Sequence, residues 1–227
     1  HIAHKMARTL RQIHSVEVLA VASRNQEKAL KFASEENVAR AYGSYEAIYN
    51  DPDVQLLYIA TPHSHHFEPT RQALLHGQAC LVEKAFTANA REAEELIRIS
   101  HERKVLLVEA IWTRFMPISL LINQLLEDGA IGKPQLLNTG LCYKVDHKER
   151  VILPELCGGA LLDLGVYVLH FARMYFGTDI TRCVSNCLMG PTGVDLQETI
   201  SLTFGDGKMA NLQCGVISRG DNQAVIS

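Results

Sequence analysis

The chain has 227 residues, with 22 Lys or Arg and 25 Asp or Glu, and a formal net charge of −3. This length predicts one large domain or two modest ones. No run of basic residues could follow nucleic-acid phosphates, and apolar runs such as residues 56–60 fall far short of the roughly 20 residues that cross a bilayer. We therefore expect neither nucleic acid nor a membrane as partner, and a cytoplasmic protein.

The first half of the chain alternates short apolar runs with longer amphipathic stretches, which is typical of parallel strands joined by helices. Gly77 stands where a glycine commonly ends a helix. The strands are predicted at residues 16–22, 41–42, 56–60, 79–82 and 105–108, and the helices at residues 25–36, 44–50, 67–76 and 89–102. This order predicts a doubly wound parallel sheet.

From about residue 136 the pattern changes to strands that look antiparallel, and the domain boundary is predicted near residues 112–117. A helix is predicted at residues 161–176, and Gly205–Lys208 is predicted as a hairpin turn. The strands are predicted at residues 135–143, 181–188, 198–204 and 209–216. We therefore predict two domains, a nucleotide-binding domain at residues 1–114 and a substrate domain at residues 115–227.

Both ends depart from this plan. A nucleotide-binding domain of this kind opens with a strand and a Gly-rich turn, whereas residues 1–7 have the pattern of the front of a helix. Residues 223–227 stop inside a strand-like stretch. We expect the chain to lack the first strand and the Gly-rich turn at one end, and part of the second domain at the other.

In an open α/β sheet the ligand crevice lies beyond the carboxyl ends of the strands. Ser23 and Arg24 follow the first predicted strand, where a protein that prefers NAD usually carries an acidic residue. Arginine suits the additional phosphate of NADP, although a solvated loop arginine is the simpler alternative. The turn after residues 56–60 would lie beside the cofactor's ribose and pyrophosphate, and its predicted cofactor-binding residues are Thr61, Pro62, His63 and His66.

A metal site is not expected. His63, His65 and His66 are close in sequence, but alternate residues on a loop rarely converge on a metal without further carboxylate or thiolate ligands. The six cysteines lack the paired C-x-x-C spacing of metal and redox sites.

Three residues are predicted to be catalytic: Lys84, Asp163 and Tyr167. Glu83 and Lys84 end a buried strand, where an ammonium can donate to a substrate oxygen, or can form a merely structural ion pair. Asp163 and Tyr167 are four residues apart, so a helix places both on one face. A phenol can act as general acid or base when a nearby ammonium lowers its pKa. The alternative makes Asp163 a helix cap and Tyr167 a packing residue.

Several motifs carry a resemblance to a known family. They are Ala41-Tyr42-Gly43-Ser44-Tyr45-Glu46, Thr61-Pro62 with His66, Glu83-Lys84, Glu109-Ala110-Ile111-Trp112-Thr113-Arg114-Phe115, and Gly158 through Tyr167. Over essentially its whole length the chain resembles the glucose-fructose oxidoreductase, inositol dehydrogenase and rhizopine-catabolism (Gfo/Idh/MocA) family. Within that family it is most similar to the dimeric dihydrodiol dehydrogenases.

The resemblance implies a Rossmann-type doubly wound parallel sheet domain, followed by an α/β domain with a large open, mostly antiparallel sheet. The exposed face of that sheet would form a homodimer or homotetramer interface. The resemblance also implies that Lys84 lies near the nicotinamide and the reacting oxygen, and that Tyr167, assisted by Asp163, donates or accepts the proton. Glu83 would lie beside the cofactor, and Trp112 and Arg114 would line the cofactor and substrate crevice.

We expect an NADP-dependent oxidoreductase, with NAD as a second option, that transfers hydride between the nicotinamide and a dihydrodiol, aldose or polyol alcohol. Two alternatives stay open. The family's proline after the lysine is Ala85 here, which keeps open a catalytically silent cofactor-sensing or regulatory protein on the same fold. The other is an NAD-dependent inositol or sugar dehydrogenase.

Overall fold

A computed structural model describes residues 2–227 of the chain. They divide into two compact units. The first contains the residues up to Thr61 and His65–Glu109, and the second contains Pro62–Ser64 and Ala110–Ser227. The predicted boundary after residue 114 lies just beyond the observed division. His1, the first residue of the predicted N-terminal helix, lies outside the described residues.

The first unit alternates parallel strands with helices, and the predicted fold class is confirmed. Strand β1 pairs with β2, and β4 lies between β3 and β5, with parallel pairing throughout these described strands. The strands are β1 (Ala20–Ala22), β2 (Arg40–Tyr42), β3 (Leu56–Ile59), β4 (Ala79–Val82) and β5 (Leu107–Glu109). The helices are α1 (Ile2–Leu10), α2 (Gln26–Glu35), α3 (Tyr45–Tyr49), α4 (Phe67–Leu75) and α5 (Ala90–Arg103).

Capping side chains explain several of the helix boundaries. Asn25, Ser44 and Asn89 have extended backbone, and each side-chain oxygen accepts the N–H three residues further on. Such caps satisfy backbone donors that the first turn leaves without a helical partner. Gly77, with a φ of +80°, follows α4 and lets the chain turn towards β4.

The first strand is shorter than the sequence predicts. The expectation of a strand at residues 16–22 is wrong at its start, because only Ala20–Ala22 is extended in the ladder. Val16 is 41% exposed, and its N–H donates to the carbonyl of Ile13 in a turn. An apolar residue that pairs with no strand cannot be distinguished from a strand residue by hydropathy alone.

Glu36 joins α1 to the end of α2. Its side chain is fully buried, and its carboxylate accepts hydrogen bonds from His4 at 2.8 Å, Arg8 at 2.7 Å and Arg11 at 2.6 Å. The hydrogen bonds from Arg8 and His4 lower the pKa of Glu36 to about 2. The ionised carboxylate is therefore part of what holds α1 on the unit.

This network predicts how stability depends on pH. Because the pKa of Glu36 in the folded chain lies below the value of about 4.3 in an unfolded chain, its contribution is complete above about pH 5 and is lost as pH falls towards 2. We expect Glu36→Gln to lower Tm at pH 7 and to flatten the fall of Tm in acid, measured by scanning fluorimetry. Glu102→Gln, on the exposed surface of α5, is the control and should leave the curve unchanged. If the Tm of Glu36→Gln fell in acid as steeply as that of the wild type, the carboxylate of Glu36 would not be the source of this pH dependence.

The second unit is built on a mixed sheet with strand order β10-β6-β9-β8-β7. Among these strands β6 and β9 pair in parallel and the other neighbours pair antiparallel. The turn at Gly205–Lys208 joins β8 to β9, as predicted. The strands are β6 (Leu136–Cys142), β7 (Ile180–Met189), β8 (Asp195–Phe204), β9 (Met209–Gly215) and β10 (Ala224–Ile226).

The helices of this unit are α6 (Pro117–Glu127), α7 (Glu149–Ile152) and α8 (Val166–Phe176), and α8 is preceded by a π-type turn at Leu161–Gly165. The sequence patterns above do not predict α6. Its apolar residues Ile118, Leu121 and Leu125 recur at helical spacing, so the pattern that indicates this helix was present in the sequence, although all three are about half exposed.

Helix α8 covers one face of the sheet. Val168, Ala172 and Phe176 pack with Leu202 and Phe204 in the core of the second unit. The helical run Pro154–Phe176 is long and apolar enough to cross a membrane by length and composition. Its apolar residues already serve as core residues here, which is the usual reason for such a composition in a sheet-covering helix.

The opposite face of the sheet is open. Asn211 on β9 donates to Asn138 on β6 at 3.1 Å, and its side-chain oxygen accepts from Ser201 on β8 at 3.2 Å. At the edge, β7 is exposed along its whole length, including Val184 and Leu188. This face therefore combines a hydrogen-bonded polar ladder with an apolar margin.

Candidate active site

Lys84 lies at the carboxyl end of β4. The N–H of Glu83 donates to the carbonyl of Ile59 at 2.9 Å, which continues the parallel ladder by one residue. The carboxylate of Glu83 accepts hydrogen bonds from the phenol of Tyr58 and, at 3.3 Å, from the N–H of Lys84. Glu83 is thus bound to the strand ends, and Lys84 is half-buried immediately after it.

His66 bridges the segments that follow β3 and β4. Its ring is fully buried, with Nδ1 2.7 Å from the carbonyl oxygen of Ala85 and Nε2 2.8 Å from that of Thr61. The hydroxyl of Thr61 donates to the carbonyl of His65 at 2.8 Å. These two contacts of the His66 ring are with backbone carbonyls, and the cofactor contact that the sequence suggested for it stays a prediction.

Glu109 is a site residue that sequence reasoning used only as part of a motif. It ends β5 opposite Val82 of β4, and its Oε1 accepts the N–H of Phe86 at 3.2 Å. Its position directly after a buried strand was the available signal, since side chains at strand ends are where function is expected in such a sheet.

Ser23 and Arg24 lie at the carboxyl end of β1. The N–H of Ser23 donates to the carbonyl of Tyr42 at 3.0 Å, and its hydroxyl oxygen accepts the N–H of Asn25 at 3.2 Å. Arg24 is exposed. A hydroxyl beside an exposed guanidinium fits the ribose phosphate of NADP, because arginine offers paired donors to phosphate oxygens.

In the second unit the structure brings Trp112 to Tyr167. The indole Nε1 donates to the phenol oxygen of Tyr167 at 3.2 Å, and the two rings meet edge to face with centroids 6.4 Å apart. Trp112 is 58% exposed. It lies with exposed Arg114 on the short 3-10 turn Trp112–Phe115.

Asp163 lies in the π-type turn and is almost fully buried. Its Oδ1 accepts a hydrogen bond from Nη1 of Arg150 at 2.8 Å, in an ion pair whose arginine side is half exposed. Sequence reasoning missed Arg150, because no periodic pattern links it to a carboxylate thirteen residues away. Asp163 lies in the π-type turn and Tyr167 lies in α8, so the two residues do not share the one regular helix that the sequence predicted.

The remaining predicted residues, Pro62 and His63, belong to the second unit. Pro62 is exposed, and Nδ1 of His63 lies 3.2 Å from the carbonyl oxygen of Cys157. Their contact with a cofactor stays a prediction. Within residues 2–227, no group of three or more His, Cys, Asp or Glu side chains is arranged to hold a metal ion.

The architecture defines a class of protein. A parallel α/β unit carries polar residues at its strand ends, and a mixed-sheet unit follows it, as in oxidoreductases that bind a nicotinamide dinucleotide. The family model for oxidoreductases with an NAD-binding Rossmann fold matches residues 1–110, and that for the GFO/IDH/MocA C-terminal domain matches residues 120–227. The chain belongs to the Gfo/Idh/MocA oxidoreductase family.

Curated relatives and solved structures agree with this assignment. The chain is similar to the trans-1,2-dihydrobenzene-1,2-diol dehydrogenases of Danio rerio (33% identity over 99% of this chain and 68% of that protein) and Mus musculus (34%, 100% and 69%). It is also similar to a 3-ketoreductase of Actinomadura kijaniata in complex with NADP and TDP-benzene, with a TM-score of 0.87, 27% identity, and coverage of 96% of this chain and 67% of that one. The chain spans 63% to 69% of the length of the curated relatives it matches.

Proposed function

We propose that the protein is an NADP-dependent dehydrogenase that transfers hydride between the nicotinamide and the alcohol of a dihydrodiol, aldose or polyol. The observation that carries the proposal is a contact made by Tyr167, which lies at the start of α8. Its phenol oxygen accepts a hydrogen bond from the exposed indole of Trp112. The similarity to dihydrodiol dehydrogenases over nearly the whole chain supports the substrate class.

Alcohol oxidation releases a hydride and a proton. Bound NADP would supply the hydride acceptor, and the protein must accept the proton and stabilise the oxygen that loses it. We assign this proton to the oxygen of Tyr167, which accepts it as a phenolate and, in the reverse reaction, donates it as a phenol. The N–H of Trp112 donates to this oxygen and so stabilises the phenolate. We propose that the ammonium of Lys84 stabilises the negative charge on the substrate oxygen.

Asp163 supports Tyr167 in this proposal. The ion pair with Arg150 ties the carboxylate in place, and the π-type turn it occupies leads directly into α8, which carries Tyr167. π-type turns within helices frequently occur at functional sites. Asp163 therefore fixes the start of the helix that presents the phenol.

The cofactor preference rests on Arg24. Loss of a charge-assisted bond to phosphate costs about 1.5–3 kcal/mol, so we expect Arg24→Ala to raise the Kd for NADP roughly 10- to 100-fold and the Kd for NAD less than about 3-fold. Fluorescence titration of both cofactors measures this. Arg103→Ala, at the exposed end of α5, is the matched control. Equal changes for NADP and NAD would remove Arg24 from the phosphate site.

The activity itself is tested by following NADPH formation from NADP with a panel of trans-dihydrodiols, aldoses and polyols. Turnover with any of these supports the proposal. A second candidate, a cofactor-sensing protein without turnover, is favoured by Ala85 following Lys84. Tight NADP binding without turnover on the whole panel would favour that candidate.

We also propose that two or four copies associate through the open face of the sheet. Such an interface would bury the exposed strand β7 and the polar ladder of Asn138, Ser201 and Asn211. Sedimentation velocity of the purified protein tests this, and a single-copy mass would reject it. A cytoplasmic location stays a proposal that cell fractionation tests.

A further inference from the structure

The peptide group just after Lys84 is held from two sides. Strand β4 is the middle strand of the ladder β3-β4-β5, so segments from both neighbours flank its carboxyl end. From the β3 side, Nδ1 of His66 lies 2.7 Å from the carbonyl oxygen of Ala85. From the β5 side, Oε1 of Glu109 accepts the N–H of Phe86 at 3.2 Å.

These two contacts act on one rigid unit. The carbonyl of Ala85 and the N–H of Phe86 belong to the same planar peptide group and point in opposite directions from it. Holding both ends prevents the plane from turning about its long axis. The next flexible torsions towards the N-terminus are those of Ala85 and Lys84, so the clamp limits the direction in which the Lys84 side chain leaves the chain.

Burial gives these hydrogen bonds weight. Ala85 is 3% exposed and the His66 ring is fully buried, so water cannot readily replace the ring as a partner for the Ala85 carbonyl. The carboxylate of Glu109 is a charged acceptor, which makes its bond to the Phe86 N–H stronger than a neutral one. The other ring nitrogen of His66 lies 2.8 Å from the carbonyl oxygen of Thr61, so the ring is enclosed between the segments that follow β3 and β4.

We propose that Glu109 and His66 are positioning residues for Lys84. They fix the Ala85–Phe86 peptide plane and, through it, the reach of the Lys84 ammonium. The inference rests on the proposed function, in which that ammonium stabilises charge on the reacting oxygen. The lysine stem is flexible, so the protein controls the ammonium mainly by fixing the backbone from which the stem extends.

Paired variants separate this role from a general loss of packing. Glu109→Gln keeps an acceptor oxygen for Phe86, and Glu109→Leu removes it. His66→Asn keeps an amide nitrogen near Nδ1, facing Ala85, whereas His66→Gln keeps one near Nε2, facing Thr61. Glu102→Leu, an exposed carboxylate on α5, is the control for loss of a negative charge.

We expect Glu109→Leu and His66→Gln to lower kcat about 10- to 100-fold, because a misplacement of about 1 Å is enough for such losses. Glu109→Gln and His66→Asn should stay within about 5-fold of the wild type, and the Kd for NADP should change less than about 3-fold in the two Glu109 variants. A loss of kcat that is equal in the Gln and Leu variants of Glu109 would overturn the role of the acceptor.

A second readout does not need turnover. Reductive methylation with carbon-13 labels the lysines, and the signal of Lys84 is identified by its absence in Lys84→Met. We expect this signal to shift and broaden in Glu109→Leu and His66→Gln, and to stay in place in the conservative variants and in Glu102→Leu. If Glu109→Leu does not fold, Glu109→Asp, which withdraws the carboxylate by one methylene, takes its place.

The outcomes separate the two hypotheses. An unchanged Lys84 signal in Glu109→Leu and in Glu109→Asp overturns the positioning role, whatever the activity. Full turnover in Lys84→Met overturns the role of Lys84 in the proposed function, while the Lys84 signal in the Glu109 variants still shows whether the clamp positions the side chain.

Discussion

Tyr167→Phe is expected to lower kcat with a dihydrodiol substrate about 10²- to 10⁴-fold, the range that general acid–base groups supply. The substitution removes the hydroxyl that accepts the proton but keeps the ring. The edge-to-face contact with Trp112, in which the ring centroids are 6.4 Å apart, can therefore persist. The Kd for NADP should therefore change by less than about 3-fold, as expected for a group that acts mainly in the transition state. Steady-state kinetics and a separate cofactor titration measure the two quantities.

Tyr143→Phe provides the matched control. Tyr143 is a half-exposed tyrosine of the same unit, and removing its hydroxyl should leave kcat unchanged. The double variant Lys84→Met with Tyr167→Phe tests whether both groups serve one step, because groups acting as a unit give losses that do not add. A kcat for Tyr167→Phe within about 3-fold of the wild type would exclude the phenol as the proton acceptor.

The strand that the sequence predicts best is β4, in the middle of its parallel ladder. Residues 79–82 form a continuous apolar run between Gly77 and a charged pair, and β4 occupies the same four residues. Hydropathy is sufficient there because β4 buries Cys80 and Val82 on one face and leaves the other face only partly exposed. Strand β1 is shorter than its apolar run, because hydropathy does not show which residues pair with a neighbouring strand.

The site was partly predictable for a similar reason. Lys84 and Tyr167 could be proposed from the sequence because strand ends, and helix starts that follow glycines, leave local signals there. The partners of these residues could not be found. Arg150 meets Asp163, and His66 meets the backbone of Ala85, only because the chain folds back on itself. Every residue has a backbone carbonyl, so no residue pattern predicts which carbonyl a histidine will contact.

Gly159→Ala is expected to disrupt the turn that carries Asp163. Gly159 has a φ of +122°, and a Cβ placed on it would lie 2.1 Å from Oδ1 of Asp195. Oδ2 of the same carboxylate accepts the N–H of Leu161 at 2.6 Å, at the start of the π-type turn. Alanine must displace Asp195 and leave that donor unsatisfied, so we expect the free energy of unfolding to fall by about 2–5 kcal/mol.

Gly193→Ala separates steric displacement from backbone strain. Gly193 also has a positive φ, of +90°, but a Cβ there would meet no atom within 4 Å. Its substitution should cost only the strain, about 1–3 kcal/mol, and leave kcat unchanged, whereas Gly159→Ala should also lower kcat because Asp163 and Tyr167 follow the displaced turn. Urea unfolding and steady-state kinetics measure both. If Gly159→Ala proved as stable and as active as Gly193→Ala, the Asp195 carboxylate would not be what fixes the start of the π-type turn before α8.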